Sequence, residues 1–184
     1  MKRPNQCILV FMLMLCLLLT GCKAKETDIS KTRVEEFLTL YQSLDSNAGS
    51  YLADRVENTE LKFDGLQALL AKKMNFSIGK VENTSDGCLV RVKIETIDFE
   101  KAFESVAENF TEGTSENVII EELYALIDSG SIAVREFSVD VLVQEIDGDH
   151  KIVLTPELSN ALFGGYNEYI SKLVGGMLDE QENN

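Results

Sequence analysis

Apolar residues recur at spacings of three and four in five segments of the chain, and this predicts five amphipathic helices. The first opens near Ser30 and the second ends near Met74. Two more lie between Asp98 and Gly130, and the last follows Thr155-Pro156. The apolar positions that define these helices are Val34, Phe37, Leu38, Tyr41, Leu44; Leu61, Phe63, Leu66, Leu69, Leu70; Phe99, Ala102, Phe103, Val106, Phe110; Ile119, Ile120, Leu123, Tyr124, Ile127; and Leu158, Leu162, Tyr166, Tyr169, Ile170, Leu173.

Other segments alternate between apolar and polar residues, which predicts strands in two hairpins. A weak strand from Phe76 to Asn83 precedes a turn at Ser85-Asp86-Gly87, and a second turn falls at Asp147-Gly148. The apolar sides of the two clearest strands carry Cys88, Val90, Val92, Ile94 and Phe137, Val139, Val141, Val143. Hairpins with one apolar face need helices to cover that face. The chain therefore predicts an α+β domain, with helices packed on one face of a curved antiparallel sheet.

Local signals predict where several of these elements begin and end. Asp98 is a favourable N-cap, and Thr155 followed by Pro156 is a typical helix start. Gly130 is expected to end the fourth helix. Gly164-Gly165 falls inside the last helical pattern, where we interpret it as close helix packing or a kink and not as a phosphate-binding loop.

The N-terminus has the layout of an export signal. Lys2-Arg3 forms a positive segment, and Ile8 to Leu19 is an apolar run that is too short to span a bilayer. The run ends in Leu19-Thr20-Gly21-Cys22, the pattern of a lipobox. The sequence thus predicts a lipoprotein signal peptide over residues 1–21, with an ordinary secretory signal or an uncleaved helix as the alternatives.

Each lipobox residue has a chemical role in lipoprotein processing. The Cys22 thiol is the nucleophile that takes a diacylglyceryl group, and further acylation (palmitate, for example) can follow at the new N-terminus. Thr20 and Gly21 are small enough for the signal peptidase to reach the bond before Cys22, while Leu19 fills an apolar subsite. Two or three acyl chains would hold the protein stably, since each buried methylene contributes about 0.8 kcal/mol.

The remainder of the chain is predicted to form one domain. Residues 22–29 are expected to be the lipidated cysteine and a short tether, residues 30–176 the α+β domain, and residues 177–184 a polar tail. The tether from Lys23 to Asp28 reaches about 20 Å when extended. The domain is therefore expected to lie close to the outer face of the cell membrane.

The net charge of the chain limits which partners it can bind. The chain has 17 basic and 31 acidic residues, a net charge of −14. Because Lys2 and Arg3 belong to the leader, the rest carries 15 basic and 31 acidic residues, a net charge of −16. Such a surface repels nucleic acid and anionic headgroups, so we expect a covalent lipid, and not charge, to hold the protein on a membrane.

Cysteine usage leaves no internal disulfide in the exported part. Cys7 and Cys16 lie in the leader, and Cys22 is the predicted lipidation site. Cys88 is then the single cysteine of the domain. Its place on an apolar strand face predicts a buried, unreactive thiol.

Three stretches resemble a known group of proteins: Gly87 to Asp98 (GCLVRVKIETID), the helical pair after it, and Phe137 to Gly165. They are similar to uncharacterised Gram-positive lipoproteins of the cystatin-like (nuclear-transport-factor-2-like) superfamily. The closest matches are the Asp147-Gly148 turn and the run Asn160-Ala161-Leu162 before Gly164-Gly165. The chain differs at His150, where tryptophan is common in that group. The resemblance implies a cone-like sheet around a hydrophobic cavity and implies no established activity.

The sequence offers few groups for catalysis or metal binding. His150 is the single histidine and is expected to be a solvated turn residue, so no metal site and no cofactor are predicted. The acidic pairs Glu35-Glu36 and Glu121-Glu122 are interpreted as solvated helix faces. Tyr41 and Tyr124 fall on apolar stripes, which favours core packing over a pocket position.

The leading hypothesis is a non-enzymatic, membrane-anchored envelope lipoprotein that binds a small apolar ligand or another envelope protein. The alternative is a small isomerase- or hydratase-like enzyme that uses a carboxylate and a tyrosine, either Tyr41 or Tyr124, in a cone pocket. An enzyme of that kind requires an acid with a raised pKa inside an enclosed cavity. The chain is too short for the two lobes of a transporter's substrate-binding component.

Overall fold

The structure, a computed structural model, describes residues 26–53, 62–63, 65–111 and 113–182, with side chains up to residue 175. The predicted leader, Cys22, Leu61 and Glu112 lie outside the described residues. The elements are α1 (26–42), a 3₁₀ helix (Ser46–Tyr51), α2 (Gly65–Lys73), β1 (Asn75–Asn83), β2 (Cys88–Ile97), α3 (Phe99–Ala107), α4 (Glu116–Ser129), β3 (Val134–Ile146), β4 (Asp149–Ile152), α5 (Pro156–Leu162) and α6 (Tyr166–Glu182).

The four strands form one open antiparallel sheet in the order β1-β2-β3-β4. Both predicted hairpins are present, and Asp147 and Gly148 have φ values of 53° and 82°, as a type I′ turn requires. The hairpins are joined by β2 and β3, whose register runs from Cys88 opposite Val143 to Ile97 opposite Val134. The predicted α+β class and antiparallel sheet are confirmed.

The main core lies between one face of this sheet and the helices that cover it. The alternation predicted for β2 is confirmed, because Cys88, Val90, Val92 and Ile94 are all buried. Helix α1 contributes Val34, Phe37, Leu38 and Tyr41 to the same core, and α5 contributes Leu158, Ala161 and Leu162. Burying each large apolar side chain contributes about 1.5–3 kcal/mol, so this layer is the main source of stability.

The opposite face of the sheet is polar and solvated. Arg91 and Asp140 face each other across β2 and β3, joined by two hydrogen bonds of 2.9 Å. Lys93 Nζ lies 2.9 Å from Glu136 Oε1 on the same pair of strands. This face carries charge where the other carries aliphatic groups, as the alternation predicted.

A second cluster of buried residues lies at one end of the sheet. Its buried members come mostly from helices: Leu70, Phe99, Ala102, Val106, Leu123, Ile127 and Tyr169, with Ile97 from β2. The prediction that all helices cover one sheet face is therefore too simple. Helices α4 and α6 both pack on α3, and α2 contributes residues to both clusters.

Several helix ends differ from those predicted. Helix α1 begins at residue 26, whereas the sequence predicted a tether up to residue 29 and a helix that begins near Ser30. Asp98 and Thr155 are N-caps as predicted, with their side chains accepting bonds from the backbone N–H groups of Lys101 and Leu158. Helix α6 runs to Glu182, through residues that were predicted to be tail. Within the described part of the chain, no helix is both long and apolar enough for a membrane crossing.

The prediction of one continuous final helix is wrong. Gly164 and Gly165 have φ values of 63° and 85°, so the chain turns there and separates α5 from α6. A side chain on Gly164 would overlap the carbonyl oxygen of Ile97. The expected close approach is thus present, but the glycines approach a strand and end a helix instead of packing two helices together.

Candidate functional site

An open cleft of about 530 Å³ lies beside the second cluster, between the start of α2, the middle of α4 and the α5–α6 turn. Its described lining consists of Gly65, Leu66, Gln67, Tyr124, Phe163 and Tyr166. The volume falls within the range of small-molecule sites, about 300–1,000 Å³. Three of the six lining residues are aromatic, and none of the described ones is charged.

Gly65 positions the Tyr124 wall of the cleft. A Cβ atom on Gly65 would lie 2.5 Å from the Tyr124 hydroxyl oxygen, and the φ of Gly65 is +44°. Both features favour glycine, because it lacks the Cβ that would clash and tolerates positive φ. The phenol of Tyr124 can therefore approach the first turn of α2 closely.

The opposite wall depends on the turn at Gly164. Phe99 N–H donates to the carbonyl oxygen of Gly164 at 3.0 Å, which fixes the turn against the start of α3. The ring of Tyr166 then meets the ring of Phe99 edge to face, with 5.0 Å between their centroids. Phe163 and Tyr166 are held on either side of this turn and face the cleft.

Gln67 connects the cleft to the main core. Its Nε2 atom lies 3.4 Å from the hydroxyl oxygen of Tyr41, to which it donates. Tyr41 is only 2% exposed and packs edge to face on Phe63, so it is a core residue as predicted. Burial raises the pKa of the Tyr41 hydroxyl, which keeps this phenol neutral.

Tyr124, like Tyr166, departs from the core-packing prediction. It is half-buried and lines the cleft. The enzymatic alternative also requires a carboxylate beside it, and the described lining supplies none. Four carboxyl groups in the described part of the chain have a shifted pKa, and in each case the pKa is lowered. The main causes are hydrogen bonds from Lys80 to Glu82, from Arg91 to Asp140, from Lys151 to Asp149 and from Lys172 to Glu168.

His150 lies beside the hairpin turn as predicted, but the prediction that it is solvated is wrong. His150 lies in β4, opposite Glu145, and it is half-buried instead of solvated in a turn. Its Nε2 atom is buried, with no hydrogen-bond partner among the described residues. The turn is only two residues long, so β4 has already begun at Asp149 and His150 lies within the strand.

Two other predicted residue classes are confirmed. Cys88 is 1% exposed, and its Sγ atom donates to Asn83 Oδ1 at 3.0 Å, so it is a buried thiol in the strand. The acidic pairs Glu35-Glu36 and Glu121-Glu122 are exposed on helix faces. Among the residues that the structure describes, no group of three or more histidine, cysteine or acidic side chains is arranged to hold a metal ion.

The strongest sequence signal, Leu19-Thr20-Gly21-Cys22, lies outside the described residues and stays a prediction. Comparison with protein-family models, with curated proteins and with solved structures finds no match to this chain.

The cleft was not predicted as a site. Leu66 and Tyr166 were assigned to core stripes, and nothing in the local pattern distinguishes Gly65, Gln67 or Phe163 as cleft residues.

Proposed function

We propose that this protein is a lipid-anchored lipoprotein on the outer face of the cell membrane, and that its domain is a non-enzymatic binding module. The observation that carries the binding role is the cleft between α2, α4 and the α5–α6 turn. The cystatin-like cone implied by the resemblance belongs to the same proposal. An antiparallel sheet with helices on its apolar face supports it.

The lining of the cleft defines the class of ligand. Aromatic walls from Tyr124, Phe163 and Tyr166 favour a ligand with a flat or ring-shaped apolar part. The Gln67 amide and the two phenols provide neutral hydrogen-bonding groups. Because the described lining is uncharged, an ionic ligand would lose hydration there without gaining a counter-charge. The ligand is therefore a small, uncharged, ring-containing molecule with one or two polar groups.

The anchor explains how so acidic a protein stays on a membrane. Thioether-linked acyl chains on Cys22 provide the attachment, and the lipoprotein-processing enzymes are its first partners. Helix α1 includes residue 26, so the connection from Cys22 to α1 spans at most about 14 Å. The domain would then lie nearer to the membrane than a tether to Asp28 allows, with Lys23 and Lys25 among the headgroups.

A fragment screen by NMR tests the binding role. Uncharged phenols, indoles and pyridones should shift the amide signals of Gly65, Gln67 and Tyr124 more than signals elsewhere. Tyr124→Phe should weaken the best fragment by about two- to tenfold, since one hydrogen bond is worth about 0.5–1.5 kcal/mol. Tyr51→Phe removes a phenol that does not line the cleft and should leave the affinity unchanged. Fragments that leave these amides unshifted, or equal effects of both variants, would contradict the proposal.

The same screen separates the binding module from the isomerase- or hydratase-like alternative. That alternative needs a carboxylate of raised pKa beside Tyr124. A carboxyl resonance that titrates well above pH 5 and shifts when a fragment occupies the cleft would favour the enzyme. If all carboxyl groups titrate at or below their ordinary values, the binding module is favoured.

A further inference from the structure

Helix α1 separates the proposed anchor from the cleft. It begins at residue 26, four residues after Cys22, and Tyr41 lies in its last turn. The Tyr41 hydroxyl accepts the 3.4 Å hydrogen bond from Gln67, which lines the cleft. At about 1.5 Å per residue, the helix places Tyr41 about 22 Å from residue 26. The start of α1 is called the anchor end of the domain below, and the cleft lies toward the other end of α1.

The sheet gives the same order. Arg33, in the first half of α1, has its Nη2 atom 2.7 Å from Oδ1 of Asp149, at the start of β4. Strand β3 ends beside Asp149 and begins at Val134, which lies opposite Ile97. The carbonyl oxygen of Ile97 approaches Gly164, in the turn that forms one wall of the cleft. The β3–β4 turn therefore lies at the anchor end, and the cleft wall lies at the opposite end of β3.

The charge on α4 opposes any tilt that would lay the cleft on the membrane. Helix α4 has four acidic residues and no basic residue. Glu121 and Asp128 lie three residues before and four residues after Tyr124, so they share its side of the helix, and both are exposed. Glu121 forms no ion pair with a described residue, and Lys73 Nζ approaches Asp128 at its backbone oxygen, at 3.0 Å. Anionic headgroups would repel these carboxylates, and contact with the headgroups would cost them hydration.

We propose that the cleft opens away from the membrane and takes its ligand from the aqueous phase, and not from the bilayer. The ligand is then water-soluble as well as small, uncharged and ring-containing. A lipid would have to leave the bilayer and expose its acyl chains to water on the way to the cleft, which the hydrophobic effect opposes. This inference rests on the proposed anchor and the proposed binding role of the cleft, and it adds the source of the ligand to them.

Paramagnetic broadening of NMR signals tests the orientation. The full lipidated protein is placed in nanodiscs of phosphatidylcholine and phosphatidylglycerol that contain a lipid with a gadolinium-chelating headgroup. Broadening falls steeply with distance from the gadolinium. The amide signals of Lys31 and Gly148, at the anchor end, should therefore broaden, while those of Gly65 and Tyr124 should stay as sharp as in nanodiscs without gadolinium. Equal broadening at both ends would place the cleft at the headgroups and overturn the proposal.

Competition with a lipid tests the source of the ligand. The best uncharged fragment should bind the protein in these nanodiscs, and the amide signals of Gly65, Gln67 and Tyr124 report its binding. Adding dihexanoyl phosphatidylglycerol, a lipid with short chains that dissolves in water, should change the fragment affinity by less than about twofold. Tyr124→Phe should weaken the fragment and the control Tyr51→Phe should not, which confirms that the cleft is measured. Displacement of the fragment by the short-chain lipid would assign the cleft to a lipid and overturn the proposal.

These outcomes separate the source of the ligand from the two proposals on which it rests. Protein that does not stay with the nanodiscs would contradict the anchor, and fragments that leave the cleft amides unshifted would contradict the binding role. Either result removes a premise and overturns this inference as well. Protein that stays with the nanodiscs and binds fragments, but has broadened cleft signals or loses the fragment to the lipid, would contradict this inference alone.

Discussion

Replacing Gly164 by alanine tests the turn that shapes the cleft. The φ of Gly164 is +63°, a conformation that costs an alanine about 1–2 kcal/mol. The new Cβ would also lie well under 3.0 Å from the Ile97 carbonyl oxygen, a separation that real Cβ atoms essentially never show. Relieving such an overlap by moving backbone costs about 1–3 kcal/mol. We expect Gly164→Ala to lower the free energy of unfolding by about 2–5 kcal/mol, the sum of both costs.

Gly130→Ala is a matched control for this substitution. Gly130 has a similar φ of +72°, but nothing lies within 4 Å of its Cβ position. Both alanines stiffen the unfolded chain equally, so that effect cancels between them. Urea unfolding followed by circular dichroism should show Gly164→Ala to be less stable than Gly130→Ala by about 1–3 kcal/mol. Equal losses in the two variants would refute the close approach of the turn to β2.

Two further predictions concern single side chains. Thr96 is fully buried, and its Oγ1 atom has no hydrogen-bond partner in the described part of the chain. Thr96→Val should therefore raise the free energy of unfolding by about 1 kcal/mol. A loss of stability in this variant would show that the hydroxyl has a hydrogen-bond partner. A hydrogen bond from Lys151 lowers the pKa of Asp149 below its ordinary 3.8. The resulting stabilisation is complete above that value and is lost as the pH falls through the lowered folded-state pKa. Asp149→Asn should thus be less stable than wild type at pH 6, with the difference narrowing on acidification below pH 4; a constant difference would contradict the ion-pair origin.

The elements could be predicted from the sequence because each has a local signal. The alternation from Cys88 to Ile94 needs only a period of two and one covered face. The caps at Asp98 and Thr155 and the turn at Asp147-Gly148 depend on residues within three positions. These were the features that the structure confirmed.

What the sequence did not predict depends on contacts between distant segments. Glycine is required at 164 by the carbonyl oxygen of Ile97, 67 residues away, and at 65 by the phenol of Tyr124, 59 residues away. The local sequence pattern does not reveal either contact. Gly164 was therefore interpreted as part of a helix, and Gly65 was not singled out. The cleft combines residues from three such segments and could not be predicted before their packing was known.

We propose that a lipid on Cys22 holds an acidic binding domain on the membrane. Growth with a clickable fatty acid, followed by membrane fractionation, tests it directly. We predict that the wild-type protein carries the label and sediments with membranes, while Cys22→Ser loses the label. A Cys88→Ser control should behave as wild type. Equal labelling of Cys22→Ser, or a native protein that begins at Met1, would contradict the proposed lipid anchor.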